Sequence, residues 1–575
     1  MDSIRAAAIG AGLAAGLLVV GVVQAQGTGG IEQPRPGDRR LELPPLPPAA
    51  PQGRFELPPI PEPPADAPLS SGLLFELKVV RFTGNEAVPT ADLDAVAGPF
   101  IGREVGAEDL ERLRQALSAL YIERGYINSG ATLPDQRVVD GVVSFALVEG
   151  RLSDIKVTGA NRLRPGYVEE RLRQAAGPPL NVNDLQKRFR ILLDDPVIER
   201  LDARLGPGVR PGESELTVDV RDAKPVYFTV TAANDRSPSV GGEALTASLL
   251  LRSLTGWGET IEADLTKASG LTDGSLGFSF PFTATDTRVS LRGQISESEV
   301  VDEPFNLLDV QSEASDVELR ISQPLYRDIG KELTAHLVFA RRMAKTELLG
   351  RRFSFADGPQ DGVSRVSVAR FVVDWLDRSS DQVIALRVTG SQGMEVLGAT
   401  ENTGNGFPDS DFTALLAQGQ YVRRTDWLTG VSFVGRFDAQ FTPDRLLSLE
   451  KFAIGGAGTV RGYRENLLVR DNGLVVSAEA RVPVWRIEIP GLSNDPGDGQ
   501  VELAPFYDFG RAWDNSDADN RPHHLSSFGL GVRWAPARHV RGSLYVAHRL
   551  HEVPRPDNSD RQDYGIHFRV SVDLY

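Results

Sequence analysis

The sequence predicts a transmembrane β-barrel of about sixteen antiparallel strands, preceded by two small α/β modules. Three observations carry that expectation. From Lys224-Pro225 onward, apolar and polar residues alternate with period two in sixteen segments across about 350 residues, with no convincing helix among them. The connections alternate in length. Short turns near 252–258, 323–331, 376–381, 422–427 and 536–540 interleave with long loops near 297–313, 344–364, 391–411 and 442–472, the asymmetry of an outer-membrane barrel. Finally, all six tryptophans (Trp257, Trp375, Trp427, Trp485, Trp513 and Trp534) fall in this region at strand ends or turns, five of them on the short-turn side, as an interfacial aromatic girdle requires.

Composition narrows the class. The chain has 575 residues, no Cys and a formal charge of −16. The absence of Cys removes disulfide scaffolds, thiol nucleophiles and Cys-ligated metal centres. An acidic chain lacks the surplus Lys and Arg that nucleic-acid binding needs. Beyond residue 23 no run approaches the ~20 apolar residues of a membrane helix.

Residues 6–23 are uncharged and mostly apolar, and Val23-Gln24-Ala25 supplies a small-residue cleavage context, so 1–25 reads as a secretory signal peptide, with an uncleaved anchor as the alternative. Residues 26–72 form a Pro-rich linker. Thirteen prolines fall between 26 and 70, around Leu41-Glu-Leu-Pro-Pro-Leu-Pro-Pro48 and Phe55-Glu-Leu-Pro-Pro-Ile-Pro61. Proline fixes φ and lacks the amide donor, which predicts an extended spacer rather than a domain. A Pro-rich recognition ligand is the other reading.

Residues 73–150 and 151–223 repeat one order of elements. In the first, strand 76–82 precedes a helix whose stripe is Leu110, Leu113, Leu117, Leu120 and Tyr121, and strand 141–148 closes the unit. In the second, strand 152–158 leads to a helix from about 165 and another carrying Leu185, Phe189, Leu192 and Leu193, then strands near 198–205 and 215–220. The turn signature Phe82-Thr-Gly-Asn85 recurs as Val157-Thr-Gly-Ala-Asn161. Such modules leave sheet edges open, which suits binding an extended chain by strand addition; a rigid spacer is the competing role.

Residues 224–575 are the barrel, with 442–472 its longest loop. An even strand count returns the carboxy terminus to the amino-terminal side. That loop carries Phe452-Ala-Ile-Gly455-Gly456 and then Val460-Arg461-Gly462-Tyr463, and a later strand carries Phe506-Tyr507-Asp508-Phe509-Gly510. Phase assigns Val501, Leu503, Pro505, Tyr507 and Phe509 to lipid, and Glu502, Phe506, Asp508 and Gly510 to the lumen. A lone buried carboxylate is costly, so Asp508 needs water or a cation. An inward-folded loop brings Arg461 as a bidentate partner, and Gly455 and Gly456 permit a tight tip. Spacing alone equally allows a surface-loop arginine and a solvated lumen carboxylate.

Those motifs resemble the barrel-assembly and two-partner secretion superfamily. Ala119-Leu-Tyr-Ile-Glu-Arg-Gly-Tyr126, Ala131-Thr-Leu-Pro-Asp-Gln136 and Val148-Glu-Gly150 resemble the first POTRA domain of its hemolysin-activator (TpsB) transporters, and Leu185 through Leu205-Gly-Pro-Gly208 the second. The resemblance implies a pore in the outer membrane of a Gram-negative bacterium, with its POTRA domains in the periplasm. The pore would recognise one large exoprotein by an amino-terminal secretion domain and pass it, unfolded, to the surface. It further implies surrounding outer-membrane lipid, insertion by the barrel-assembly machinery, and pairing of Arg461, at an inward loop tip, with Asp508. Two departures stand out. Gly27-Thr-Gly-Gly30, Pro34 and Pro36 discourage the plug helix of some members, and Tyr575 is out of phase with the lipid-facing Ile566, Phe568, Val570, Val572 and Leu574.

The rival function within this superfamily is a factor that inserts other outer-membrane proteins, and such factors usually carry more POTRA modules. An enzyme is not expected. There is no Gly-x-Ser-x-Gly elbow, no phosphate-cradling Gly-Lys-Ser/Thr loop and no His-Glu-x-x-His, so no cofactor, metal or catalytic residue is assigned. His548 and His551 lie three apart in a strand, on opposite faces, which disfavours a shared metal.

Overall fold

The computed structural model describes residues 53–57 and 74–574, apart from 211, 403–405, 426, 428, 429, 517–520 and 554–559. The expected signal peptide, the region where a plug helix would fall, most of the expected linker and Tyr575 therefore lie outside the described residues. The chain divides into two compact units, one made of 50–225 with 253–258, the other containing 226–252 and 259–575.

The first unit opens with a strand that the Pro-rich composition did not suggest, β1 (Gly53–Glu56). Its first module follows as β2 (Phe75–Glu76), β3 (Val79–Thr83), α1 (Thr90–Ala97), β4 (Glu104–Val105), α2 (Ala107–Glu123), β5 (Gly130–Thr132) and β6 (Val142–Val148). The sheet order is β3-β6-β5, with β2 and β4 as a separate two-residue pair. Leu110, Leu113, Leu117 and Tyr121 of α2 turn one stripe onto Val143, Phe145 and Leu147, forming the core. Tyr121 Oη donates to Glu149 Oε1 at 2.8 Å, and the same oxygen accepts the amides of Glu86 and Ala87. Burial, with that carboxylate beside it, pushes the Tyr121 hydroxyl above its ordinary value, so it stays a neutral donor.

The second module comprises β7 (Arg151–Thr158), α3 (Pro165–Arg173), α4 (Val182–Leu193), β8 (Ile198–Pro207) and β9 (Glu213–Asp222). Here Asp222, at the end of the last strand, takes the part of Glu149. Its Oδ2 accepts the amides of Asn161, Arg162 and Leu163 in the turn that repeats the first module's signature. Gly84 and Gly159 hold the matching positive φ of 80° and 78° that makes glycine necessary in both turns.

The modules are joined through main chain. Leu180 N donates to Gly150 O at 2.7 Å and Val182 N to Gly125 O at 2.9 Å. Asn128 Nδ2 reaches Gly212 O and Ser214 Oγ, and Asn181 Nδ2 reaches Arg124 O. Ile127 packs against the second core.

The sheet of the second module runs β1-β8-β9-β7, so the linker strand β1 covers the β8 edge. It pairs in parallel from Gly53↔Leu201 to Glu56↔Arg204. The ring of Phe55 stands edge-on to Phe189 at 5.3 Å, and Glu56 pairs with Arg204 at 3.0 Å. The spacer expectation thus misses one feature. Residues 52–57 are free of proline in a stretch otherwise punctuated by it, so the amides a ladder needs are present there.

The second unit is a closed antiparallel barrel of sixteen strands. These are β10 (Val226–Ala233), β11 (Ala244–Arg252), β12 (Thr260–Ala268), β13 (Leu271–Pro281), β14 (Arg288–Glu299), β15 (Val310–Asp328), β16 (Lys331–Leu348), β18 (Val363–Arg378), β19 (Gln382–Met394), β20 (Thr413–Arg424), β21 (Ser432–Phe441), β24 (Asn472–Arg486), β25 (Gln500–Trp513), β26 (His524–Ala537), β27 (Val540–Arg549) and β28 (Ile566–Asp573). The two-residue β17 (Arg351–Arg352) folds back to pair antiparallel with the end of β16, and β22 (Phe452–Ile454) pairs with β23 (Leu468–Arg470) inside the long loop. The predicted turn near 323–331 is shorter than its range. β15 and β16 continue to Asp328 and Lys331, and Pro324 sits at a bulge where its missing amide does no harm.

Closure is between β10 and β28, from Thr229↔Asp573 to Ala233↔Arg569. Side chains reinforce the seam: Thr229 to Asp573 at 2.8 Å, Thr231 with Ser571 at 2.9 Å, and Asn234 to both the amide of Phe568 and the carbonyl of Ile566. Leu265, Leu276, Phe278, Leu291, Ile295, Val317, Phe371 and Tyr507 all remain exposed and give the barrel an apolar outer face.

Leu185→Ala removes a fully buried side chain from the second module's core. It is expected to lower that module's stability by about 2–5 kcal/mol. Chemical unfolding followed on the isolated protein should show this loss, while the barrel keeps its heat-resistant band on an unboiled gel.

Candidate functional site

The loop between β21 and β24 folds into the barrel, and its short β22–β23 hairpin supports a tip at 455–467. Gly455 and Gly456 adopt φ of 112° and 97°, and Gly462 one of 93°, conformations that an L side chain rarely adopts. Thr459 Oγ1 accepts from Gly455 N at 2.8 Å and donates to Gly455 O at 2.9 Å, cross-bracing the turn. Glu465 Oε2 accepts the amide of Ala457. The apolar side of the tip, Val460 and Tyr463, is fully buried with Leu416, Phe452, Ile454, Leu468, Val475, Ala512 and Leu525.

This geometry delivers Arg461 to the inner wall. Its Nε donates to Asp508 Oδ2 at 2.8 Å and Nη2 to Oδ1 at 2.9 Å, a bidentate pair, and its backbone amide adds a third bond to Oδ2 at 3.0 Å. Asp508 is 0% exposed and Arg461 4%. A second carboxylate completes the set, for Nη1 donates to Glu479 Oε2 at 2.6 Å while Arg481 Nε holds the other oxygen, Oε1, at 2.8 Å. Ser477 Oγ receives Nη2 at 3.2 Å. The guanidinium lies over the ring of Phe506, 3.6 Å from its centroid, with Tyr545 at 4.8 Å. Two arginines and two carboxylates thus balance in charge, with Arg461, Asp508 and Glu479 all buried.

The other motif residues define the contact. A Cβ on Gly510 would come within 2.8 Å of Val460 Cγ2, so that glycine makes room for the tip. Gly462 N donates to His567 Nε2 at 2.9 Å. Tyr463 Oη lies 2.9 Å from Ser526 O and 3.0 Å from His551 O, fixing the tip to the last hairpins. Arg464 reaches Asp563 in a bidentate pair and Asp302 at 2.7 Å.

Every motif residue singled out in the sequence is in this assembly. Glu479, Ser477, Tyr545 and His567 were not singled out. Glu479 and Ser477 had a signal, since both share the inward face of a strand adjacent to that of Asp508, with Ser477 directly opposite it. His567 is the inward-phase residue between the lipid-facing Ile566 and Phe568.

No group of three or more His, Asp or Glu placed to hold a metal occurs among the described residues. His551 turns toward His524, Nε2 to Nε2 at 2.7 Å, whereas His548 lies against Phe528.

The family described as haemolysin secretion/activation protein ShlB/FhaC/HecB matches residues 212–534, and the POTRA domain of ShlB type matches 75–150. The chain belongs to that haemolysin secretion family. It is an outer-membrane transporter of the two-partner secretion type, with periplasmic POTRA domains. Among its relatives, the outer membrane transporter CdiB of Dickeya dadantii is 23% identical over 80% of this chain and 81% of its own length. The heme/hemopexin transporter protein HuxB of Haemophilus influenzae is 22% identical over 88% of each chain. CdiB from Escherichia coli shares the fold, with a TM-score of 0.66 at 21% identity over 89% of this chain and 92% of that one.

Arg461→Lys keeps the charge of the transporter's loop tip but loses the planar fork that holds Asp508 and Glu479 together. Removing the cation altogether, as in Arg461→Ala, leaves Asp508 buried without its partner at a cost of ~3–5 kcal/mol, while Glu479 keeps Arg481. Both variants should insert and form the heat-resistant barrel, with the loop tip becoming protease-accessible from the surface in the order wild type, Lys, Ala.

Proposed function

We propose that this transporter captures one large unfolded exoprotein on its POTRA domains and passes it through the barrel when the loop bearing Arg461 leaves the lumen. The observation that supports this most is the buried Arg461–Asp508–Glu479 set, which fastens a long loop inside the pore by charges rather than by covalent or purely apolar means. Charges that separate into a water-filled lumen are re-solvated, so release costs far less than it would in a dry core. Gly462 and Gly510 let the tip seat closely when it returns, with Gly455 and Gly456 shaping its turn.

Recognition is by strand addition to the POTRA sheet edges, with the client's amino-terminal secretion domain supplying the strand. On the second POTRA domain the β8 edge already carries β1. Four residues in parallel pairing make a weak strand, and a longer client strand displaces it; β1 keeps the edge covered until then. The chain is not an enzyme and needs no cofactor. Folding of the client at the cell surface biases threading outward. The barrel is inserted by the barrel-assembly machinery, and its apolar wall contacts outer-membrane lipid.

The deciding experiment is mass spectrometry of medium and cell surface, with and without this gene. Loss of one or two very large proteins, other barrels unchanged, is the expected result. A broad fall in outer-membrane barrels would mean an assembly factor instead. Normal secretion by Arg461→Ala at wild-type barrel levels would rule out the latch. Phe55→Ala, which removes the ring packed on Phe189, should raise the affinity of the POTRA domains for the client's secretion domain severalfold in a titration with purified protein.

A further inference from the structure

A second set of buried charges grips the same loop at another place on the wall. Glu450, just before β22, is 2% exposed. Arg370 on β18 brings one Nη2 to both of its oxygens, at 2.9 and 2.7 Å. Arg342 on β16 donates through Nη1 to Glu450 Oε1 at 2.9 Å and to the carbonyl of Leu449 at 2.7 Å, while its Nε holds Asp316 of β15 at 2.9 Å. Gln440 on β21 clasps both limbs of the loop at once, donating to the carbonyls of Glu450 and Asp471, each at 3.0 Å. Around these charges Leu446, Leu447 and Leu449 are buried against Ala314, Ala340, Ala344, Val366 and Val368. The alanines of the wall leave the room that the leucines fill.

Three strands, β19, β20 and β21, separate this wall from β24 and β25, where Arg461 docks. The loop is therefore held at two sites, its descending limb on β15–β18 and its tip on β24–β25. Because β22 begins two residues after Glu450, the position of the limb sets the starting point of the hairpin that carries the tip. We propose that Glu450 is a positioning residue that anchors the limb and thereby delivers Arg461 to Asp508, so that the lumen stays closed only while both grips hold. This rests on the reading of the loop as the part that moves. It adds that docking of the tip fails when Glu450 lets go, even with Arg461, Asp508 and Glu479 all intact.

The absence of native cysteine allows a clean test. Val460→Cys with Gly510→Cys places two thiols where the docked tip meets the wall; Cys at 460 has one γ atom in place of two, which frees the space of Val460 Cγ2, 2.8 Å from a Cβ at 510, and puts the pair within the reach of a disulfide. The rate of disulfide formation in the full-length protein in outer membranes then reports docking directly, without reference to transport. In this double-cysteine background Glu450→Gln should slow cross-linking at least ~10-fold. With the native residues at 460 and 510, the same substitution should raise single-channel conductance in planar bilayers, at unchanged amounts of heat-resistant barrel. Cross-linking at the unsubstituted rate in Glu450→Gln would overturn the proposal. If that barrel fails to assemble, Arg370→Lys, which keeps the charge and loses the grip on both oxygens, takes its place under the same criterion. Slowed cross-linking with normal secretion would leave the anchor standing and remove the reading of the loop as the transport gate, so the two fail separately.

Discussion

A carboxylate with no solvent exposure on the inner wall of a pore is the constraint from which the architecture of the barrel's interior follows. Asp508 must find donors, and among the described residues the three that reach it come from Arg461, through its side chain and its amide. To supply both, the loop has to enter the lumen and present backbone as well as guanidinium to the wall. That demands glycines where the chain turns back, at 455, 456 and 462, and a wall residue without a side chain at 510. Glu479 then binds the remaining side of the guanidinium, and Arg481 keeps the set neutral. An apolar replacement of such a set is often no less stable. What ionic groups add is a bond that can open into water and close again.

The POTRA domains use carboxylates for the opposite purpose. Glu149 and Asp222 sit at corresponding ends of their sheets and satisfy the amides of the two equivalent turns, locking the strand before each turn to the last strand of its domain. Nothing in these contacts is arranged to open. The two units thus use buried carboxylates differently, with single carboxylates capping backbone amides in the POTRA turns and paired charges holding the loop against the barrel wall.

Much of this was legible because strand phase is unforgiving. Period two alone placed Phe506, Asp508 and Gly510 inside and Tyr507 and Phe509 outside, as they are found. The repeat of Thr-Gly-Asn and Thr-Gly-Ala-Asn marked the two equivalent turns. Strand β1 was hidden for a physical reason. Its partner lies 148 residues away, and a pattern dominated by proline conceals a six-residue stretch that can pair. Glu479 was visible on the inward face of its strand, yet only strand register, which puts it one inward position from the residue facing Asp508, makes it a ligand of Arg461. The grip on Glu450 is less legible still, because it combines four strands and a loop whose pairing no local pattern encodes.

The joint between the POTRA domains has a consequence of its own. Because amides of one domain donate to carbonyls of the other at Gly125 and Gly150, and Asn128 and Asn181 bridge the same gap, the pair has no free swivel. Two sheets locked this way keep their edges at a constant separation and orientation, as the marks on a ruler do. A polypeptide that engages both must carry its two binding segments at the matching interval, and a chain with the right segments at the wrong spacing gains only one. Selectivity for a single exported protein can therefore be encoded in a distance, independently of the residues that touch.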